Sequence, residues 1–126
     1  MTAPVVLDAS ALLVLALEEP GWERVKTHLS GAAVCVLNWA EALDVANRLG
    51  EAAAVSAYAA TLDLQPAIAE DAERATSLLE RGGRAAGLSL ADGFCLALAK
   101  RLARPVLTAD KAWARLKPGV PVRLIR

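Results

Sequence analysis

The chain has 126 residues, with 14 basic and 14 acidic side chains, a formal net charge of zero and an apolar fraction of 56%. A length of this order bounds it to one domain with an ample core, and the apolar content excludes intrinsic disorder. The mean hydropathy of +0.38 does not amount to a membrane span, because the longest apolar run, residues 9–17, contains Ser10 and is too short to cross a bilayer.

The chain opens Met-Thr-Ala-Pro, without a basic segment or a cleavage-type sequence, so no signal peptide is expected. Residues 5–7, Val-Val-Leu, read as a buried strand ended by Asp8. Residues 10–19 have helical character and stop at Pro20-Gly21, and residues 22–29 form a second, amphipathic helix. His28, the single histidine, falls there as a surface or half-buried residue, and with no Ser or Cys nucleophile motif near it triad chemistry has little support. Residues 33–36 are a continuous rather than alternating apolar strand, the pattern of a strand buried on both faces.

A helix is expected over residues 38–49, an alanine-rich helix over 51–62, a short strand at 62–64 and a charged amphipathic helix over 68–81, broken at Gly82-Gly83. A further helix spans 89–102, then a strand 105–107, a short helix 110–116 and a last strand 122–125. This alternation predicts an α/β fold: one domain, residues 1–126, with a mainly parallel central sheet of four to five short strands flanked by helices. Cys35 and Cys95 lie apart in apolar segments without a CxxC partner, which reads as buried reduced thiols in a cytoplasmic protein.

The neutral total hides a polarity. Residues 1–80 hold 12 acids and 4 bases, whereas residues 81–126 hold 10 bases and 2 acids. One reading is chance with intramolecular pairing; the other is a basic rim for a polyanion beside an acidic pocket. The two acids in the basic third are Asp92 and Asp110.

Together with Asp8 and Glu41 they form a set of four carboxylates, each where an apolar segment meets the start of an expected helix. Each has a plain structural reading. Asp8 would cap the helix after it, Asn38 and Glu41 look like a capping box, Ser89 and Asp92 have similar spacing, and Asp110 would cap the last short helix. The joint reading differs. Ligands of parallel sheets bind outside the carboxyl ends of the strands, and that logic brings at least three of the four to one edge. Carboxylates gathered in apolar surroundings need a cation, and an all-oxygen set selects Mg²⁺ or Mn²⁺ over zinc. Glu18, Glu19, Glu23, Glu70, Asp71, Glu73 and Glu80 read as solvated charges on amphipathic faces or in polar clusters; Asp44 and Asp63 are intermediate, and Asp44, three residues after Glu41, reads as an acid bracing the set from outside.

The motifs Val5-Val6-Leu7-Asp8-Ala9-Ser10, Asn38-Trp39-Ala40-Glu41, Gly87-Leu88-Ser89-Leu90-Ala91-Asp92-Gly93-Phe94-Cys95 and Pro105-Val106-Leu107-Thr108-Ala109-Asp110 resemble, in order and spacing, those of the PIN domain family, and within it the VapC-type toxins of toxin–antitoxin pairs. The resemblance implies a Mg²⁺- or Mn²⁺-dependent ribonuclease in which Asp8, Glu41, Asp92 and Asp110 are the metal-binding catalytic acids, with Ser10 and Thr108 orienting carboxylates or waters. It also implies an RNA substrate, a cognate antitoxin and a homodimer. Arg84, Lys111 and Arg115 are candidate RNA contacts from the basic third, Trp113 is expected in the core, and residues 52–60 and the apolar face of 11–17 are candidate partner surfaces. A catalytically silent PIN-like module, acting as an RNA binder or a scaffold, is the alternative.

Overall fold

The structure, a computed structural model, describes residues 4–126. Five strands, β1 (Val6–Leu7), β2 (Ala33–Cys35), β3 (Asp63–Gln65), β4 (Val106–Thr108) and β5 (Val122–Leu124), form one sheet in the order β3-β2-β1-β4-β5. Every pairing is parallel, with Val6 registered against Ala33 on one side and Val106 on the other. The expected mainly parallel α/β sheet is therefore present, with all five short strands used.

Side chains alternate across a strand, and here both directions lead into a core. Val5, Leu7, Val34 and Leu107 join one buried cluster, while Val6, Ala33, Cys35 and Val106 join the other. Helices cover both faces, so the strands are apolar throughout instead of alternating. The first face packs against α1 (Ala9–Ala16), α2 (Trp22–Thr27), α3 (Val36–Arg48) and α4 (Ala52–Ser56). The second packs against α6 (Leu90–Leu102) and Trp113 of α7 (Ala112–Leu116). Leu12, Leu15, Leu96 and Leu98 are each at most 2% exposed, and each such burial stabilises the fold by roughly 1.5–3 kcal/mol.

The apolar face of α1 is thus spent on the core, through Ala11, Leu12, Val14 and Leu15, and is not the partner surface the sequence offered. The expected helix over 51–62 is also shorter: α4 ends at Ser56 and the chain continues as tight turns. Its one buried side chain is Val55, and alanine propensity without an apolar stripe to dock does not sustain a longer helix in water. Helix α3 starts two residues early, directly from β2 with Cys35 as its cap.

Helix α5 (Ala69–Leu78) runs into a kinked π-helical turn (Leu79–Gly83), in which Arg81 and Gly82 leave helical angles (Gly82 φ +113°), before the chain reaches α6. Gly93 sits where α6 meets α5: a Cβ there would lie 3.1 Å from Ala75 Cβ and 3.2 Å from its carbonyl oxygen. Glycine at this position permits the close approach of the two helices. Gly21 has φ +98°, and a Cβ there would collide with the Ile125 side chain, which lets the C-terminus pack beside α2.

One ion pair departs from the expectation of solvated acids. Asp71, in the first turn of α5, is 1% exposed and accepts from Arg101 Nε and Nη2 at 3.0 Å each, one bond to each oxygen. It also accepts from the Ile68 N–H at 3.1 Å, and Arg101 donates on to the Pro66 carbonyl at 3.2 Å. Burial this deep is tolerated because a planar guanidinium matches a carboxylate in two parallel bonds.

Candidate active site

The chain runs β1, β2, β3 toward one side of the sheet and then β4, β5 toward the other. The crevice outside the carboxyl ends of β1 and β4 is therefore the switch point at which such sheets take ligands. Asp8 follows β1, Thr108 ends β4, and Asp110 lies two residues beyond.

Asp8 is 4% exposed and its position is fixed by three donors. Oδ1 accepts from Ser10 Oγ at 2.7 Å and from the Ala11 N–H at 2.8 Å, so Asp8 is the N-cap of α1; Oδ2 accepts from Thr108 Oγ1 at 2.6 Å. Both hydroxyls are themselves held from across the sheet, since the Ala109 N–H donates to Ser10 Oγ and the Asp110 N–H to Thr108 Oγ1, each at 3.0 Å. Their protons are committed to Asp8, so the 3.4 Å approach of Ser10 Oγ to Thr108 Oγ1 is a contact and not a further bond. Ser10 and Thr108 thus both donate to the buried Asp8 carboxylate, one to each oxygen.

Glu41 lies on α3 and accepts from Asn38 Nδ2 at 3.2 Å through Oε1. The same amide donates to the Ala91 carbonyl at 3.1 Å, tying the start of α3 to the start of α6. Asn38 was expected as a helix cap; the earlier start of α3 instead makes it an internal, fully buried residue three positions before Glu41, where helical neighbours meet. It is the positioning residue that sequence reading missed, and its Oδ1 is buried with no partner among the described residues.

Asp92 forms the expected box with Ser89: the Ser89 N–H donates to Asp92 Oδ2 at 2.8 Å, and the Asp92 N–H donates to Ser89 Oγ at 3.1 Å. Asp110 accepts from the Ala112 N–H through Oδ1 at 3.0 Å. Asp44 does not join the set; it is exposed and pairs with Arg48 at 3.3 Å.

The four acids influence one another. Burial pushes the Asp8 carboxyl from 3.8 up to about 6, against the pull of its hydrogen bonds, and the charge of Asp92 adds to the rise. Burial also raises Glu41, opposed by the Asn38 amide and reinforced by Asp92. Asp92 itself is raised by burial, opposed by the Ser89 bonds and reinforced by Asp110. Asp92 is the member through which the other three repel.

The residues fit a hard divalent cation. The Asn38 bond to Glu41 and the helix-end bonds of Asp92 and Asp110 occupy one oxygen each, leaving Glu41 Oε2, Asp92 Oδ1 and Asp110 Oδ2 without protein partners among the described residues. Asp8 Oδ2 has one donor and keeps a lone pair, because each carboxylate oxygen accepts two. Among the described residues no three acidic, histidine or cysteine side chains approach closely enough to hold one ion directly. Magnesium commonly takes one or two carboxylates and retains several waters, which suits acids set this far apart.

The sequence matches the family model described as the PIN domain over residues 5–117. The chain belongs to the PIN domain family. The PIN fold also appears in the structural neighbours. A toxin–antitoxin complex from Klebsiella pneumoniae superposes with a TM-score of 0.78 at 18% identity, covering 97% of this chain and 98% of that one. DNA-bound VapBC from Salmonella typhimurium gives 0.79 at 15%, covering 99% and 100%. VapC20 from Mycobacterium tuberculosis, a sarcin-ricin loop cleaving toxin, gives 0.75 at 16%, covering 90% and 95%. No curated protein matches the sequence.

The candidate RNA contacts differ in freedom. Lys111 is exposed at the start of α7, and Arg115 lines a small cavity beside Ala86. Arg84 is shared with Glu80 at 3.1 Å, which reduces the charge it can offer. Intramolecular pairing explains little of the basic third: of its ten cations only Arg84 and Arg101 make salt bridges among the described residues. Among the described residues no helix is long and apolar enough to cross a membrane.

Proposed function

We propose that this PIN domain protein is a cytoplasmic endoribonuclease toxin of a toxin–antitoxin pair, dependent on Mg²⁺ or Mn²⁺. The observation that carries the reading is Asp8 and Asp110 beside the switch point, with Asp92 near enough to raise both Asp8 and Glu41 by its charge, and all four acids keeping acceptor capacity to spare. Asp8, Glu41, Asp92 and Asp110 would hold the cation between them, part directly and part through its waters. Bound there, the ion lowers the pKa of a coordinated water and offsets charge growing on a phosphate oxygen, which suits hydrolysis of a phosphodiester to a 5′-phosphate and a 3′-hydroxyl.

The chain's own residues prepare the site. Ser10 and Thr108 fix the plane of the Asp8 carboxylate, Asn38 aims Glu41, and the Ser89 box fixes Asp92. The exposed cations beside them attract an RNA backbone. The toxin–antitoxin complexes among the neighbours support a protein antitoxin, whose basic side chain placed among the four acids would inhibit by replacing the cation's charge; assembly as a homodimer is carried by the family resemblance alone. The spacing of the acids would favour the alternative, an RNA-binding module without catalysis, only if the ion required three direct carboxylates.

Cleavage of structured and unstructured RNA with Mg²⁺, with Mn²⁺ and with excess EDTA tests this. Wild type is expected to cut only with the ions, and Asp8→Asn and Asp92→Asn to lose activity by ~100-fold or more, as when charge-stabilising groups of an active site are removed. Equal cutting by all three proteins, or full activity in EDTA, overturns the reading.

A further inference from the structure

The larger of the two cavities described in the molecule does not coincide with the four acids. It is a cleft of about 540 Å³ between α5, the π-helical turn, α6 and the loop after α7. Arg74, Arg81, Lys100 and Lys117 line it, and no acidic side chain does. Of the four cations only Arg74 makes a salt bridge, to Glu70 at 2.8 Å; Arg81, Lys100 and Lys117 have no carboxylate partner among the described residues. The apolar part of the lining comes from Leu78, Leu96 and Leu116. Three unpaired cations around a concave, partly apolar surface make an anion site, because nothing on the protein neutralises them.

The position of the cleft favours a strand of nucleic acid over an isolated anion. Asp92, Leu96 and Lys100 lie at i, i+4 and i+8 on α6, a stripe whose middle member is buried beneath the cleft while Lys100 at its end is exposed. At 1.5 Å per residue the Lys100 end of that stripe is about 12 Å from Asp92 along the axis. Leu116 borders both this cleft and the smaller cavity lined by Arg115. Lys111 and Arg115 on α7 therefore bridge the interval between Asp110 and the cleft with positive charge.

We infer that this cleft binds phosphates of the RNA strand a few nucleotides away from the bond held at the acids, with Arg81, Lys100 and Lys117 as the phosphate contacts and the half-buried Leu78 and Leu116 against sugar or base. The inference rests on the nuclease reading for its choice of polyanion. An acidic protein segment would meet the same charges but would have no reason to follow the path from Asp92 to Lys100.

The test is binding of a fluorescent single-stranded RNA, measured by anisotropy over a range of salt in an Asp8→Asn background so that the strand stays intact. Arg81→Gln/Lys100→Gln removes two phosphate contacts, and the slope of log affinity against log salt should become shallower by about 1.4, at ~0.7 per contact for single strands. Arg24→Gln/Lys26→Gln, on α2, makes the same change in net charge elsewhere and should leave the slope unchanged. Equal loss in both double variants, or no change in the first, overturns the assignment, the latter leaving the cleft to an acidic partner. Wild-type cleavage is measured alongside. Absence of cutting together with the expected slopes defeats the nuclease reading alone, whereas cutting with unchanged slopes defeats the cleft alone.

Discussion

Asp8→Asn should make the cation-free protein more stable at pH 8 while abolishing cleavage. The folded protein raises the Asp8 carboxyl to about 6 from an ordinary 3.8, chiefly by burial, and the sign of the effect follows. Below pH 4 the carboxyl is protonated in both folded and unfolded chains and burial carries no charge penalty. Between pH 4 and 6 the unfolded chain releases its proton while the folded one keeps it, so stability falls as pH rises. Above pH 6 a penalty of about 3 kcal/mol persists, at 1.36 kcal/mol per unit.

Asparagine removes that penalty without opening a cavity. Its oxygen can keep the Ser10 and Ala11 donors, and its amide can donate to Thr108 Oγ1. A gain of roughly 1–3 kcal/mol at pH 8, and none at pH 4, is expected in urea unfolding without divalent cations. Added Mg²⁺ should reverse the ranking, because a ligand at 100 times its Kd stabilises by about 2.7 kcal/mol, and only wild type keeps the site. A variant less stable than wild type at pH 8 without cations contradicts this account of Asp8.

The second large effect lies away from the acids. Arg101→Ala leaves Asp71 buried with the Ile68 N–H as its one remaining donor among the described residues. Breaking a buried pair from one side commonly destabilises by about 3–5 kcal/mol, since the remaining charge is stranded, whereas replacing both partners with apolar groups of similar size is often neutral. Urea unfolding of Arg101→Ala should therefore show a loss in that range, and Asp71→Leu/Arg101→Met should recover most of it. A loss below about 1 kcal/mol would mean that Asp71 finds water once the guanidinium is gone. The pair fastens the start of α5 to the end of α6, the helix that carries Asp92, so it braces the site from outside.

Much of the site was legible because the fold places it by local rules. Asp8 and Asp110 directly follow strands, and a parallel sheet sends the ends of its strands to one edge. Asp92 was not placeable in that way, since α6 follows a loop and not a strand; what brings it to the others is the Asn38 amide reaching the Ala91 carbonyl, 53 residues away. Capping does not compete with ion binding: a carboxylate has two oxygens, the helix-end bonds of Asp92 and Asp110 use one, and Glu41 spends one on the Asn38 amide instead of a cap. Asp71 was illegible for a related reason: its partner is 30 residues away, and a buried acid in the first turn of a charged helix looks in sequence like a solvated one. The alanine-rich segment failed on another count, because composition reports helix propensity and not whether a surface exists to receive the helix.

The most direct measurement is Mn²⁺ binding followed by electron paramagnetic resonance, in which free and bound ion give distinct signals. Wild type should bind saturably, Asp8→Asn and Asp92→Asn should each bind at least ~10-fold more weakly, and Asp44→Asn, whose carboxylate pairs with Arg48 in solvent, should match wild type. Indistinguishable affinities across all four proteins, or an equal loss in Asp44→Asn, would contradict a cation site built from the four acids.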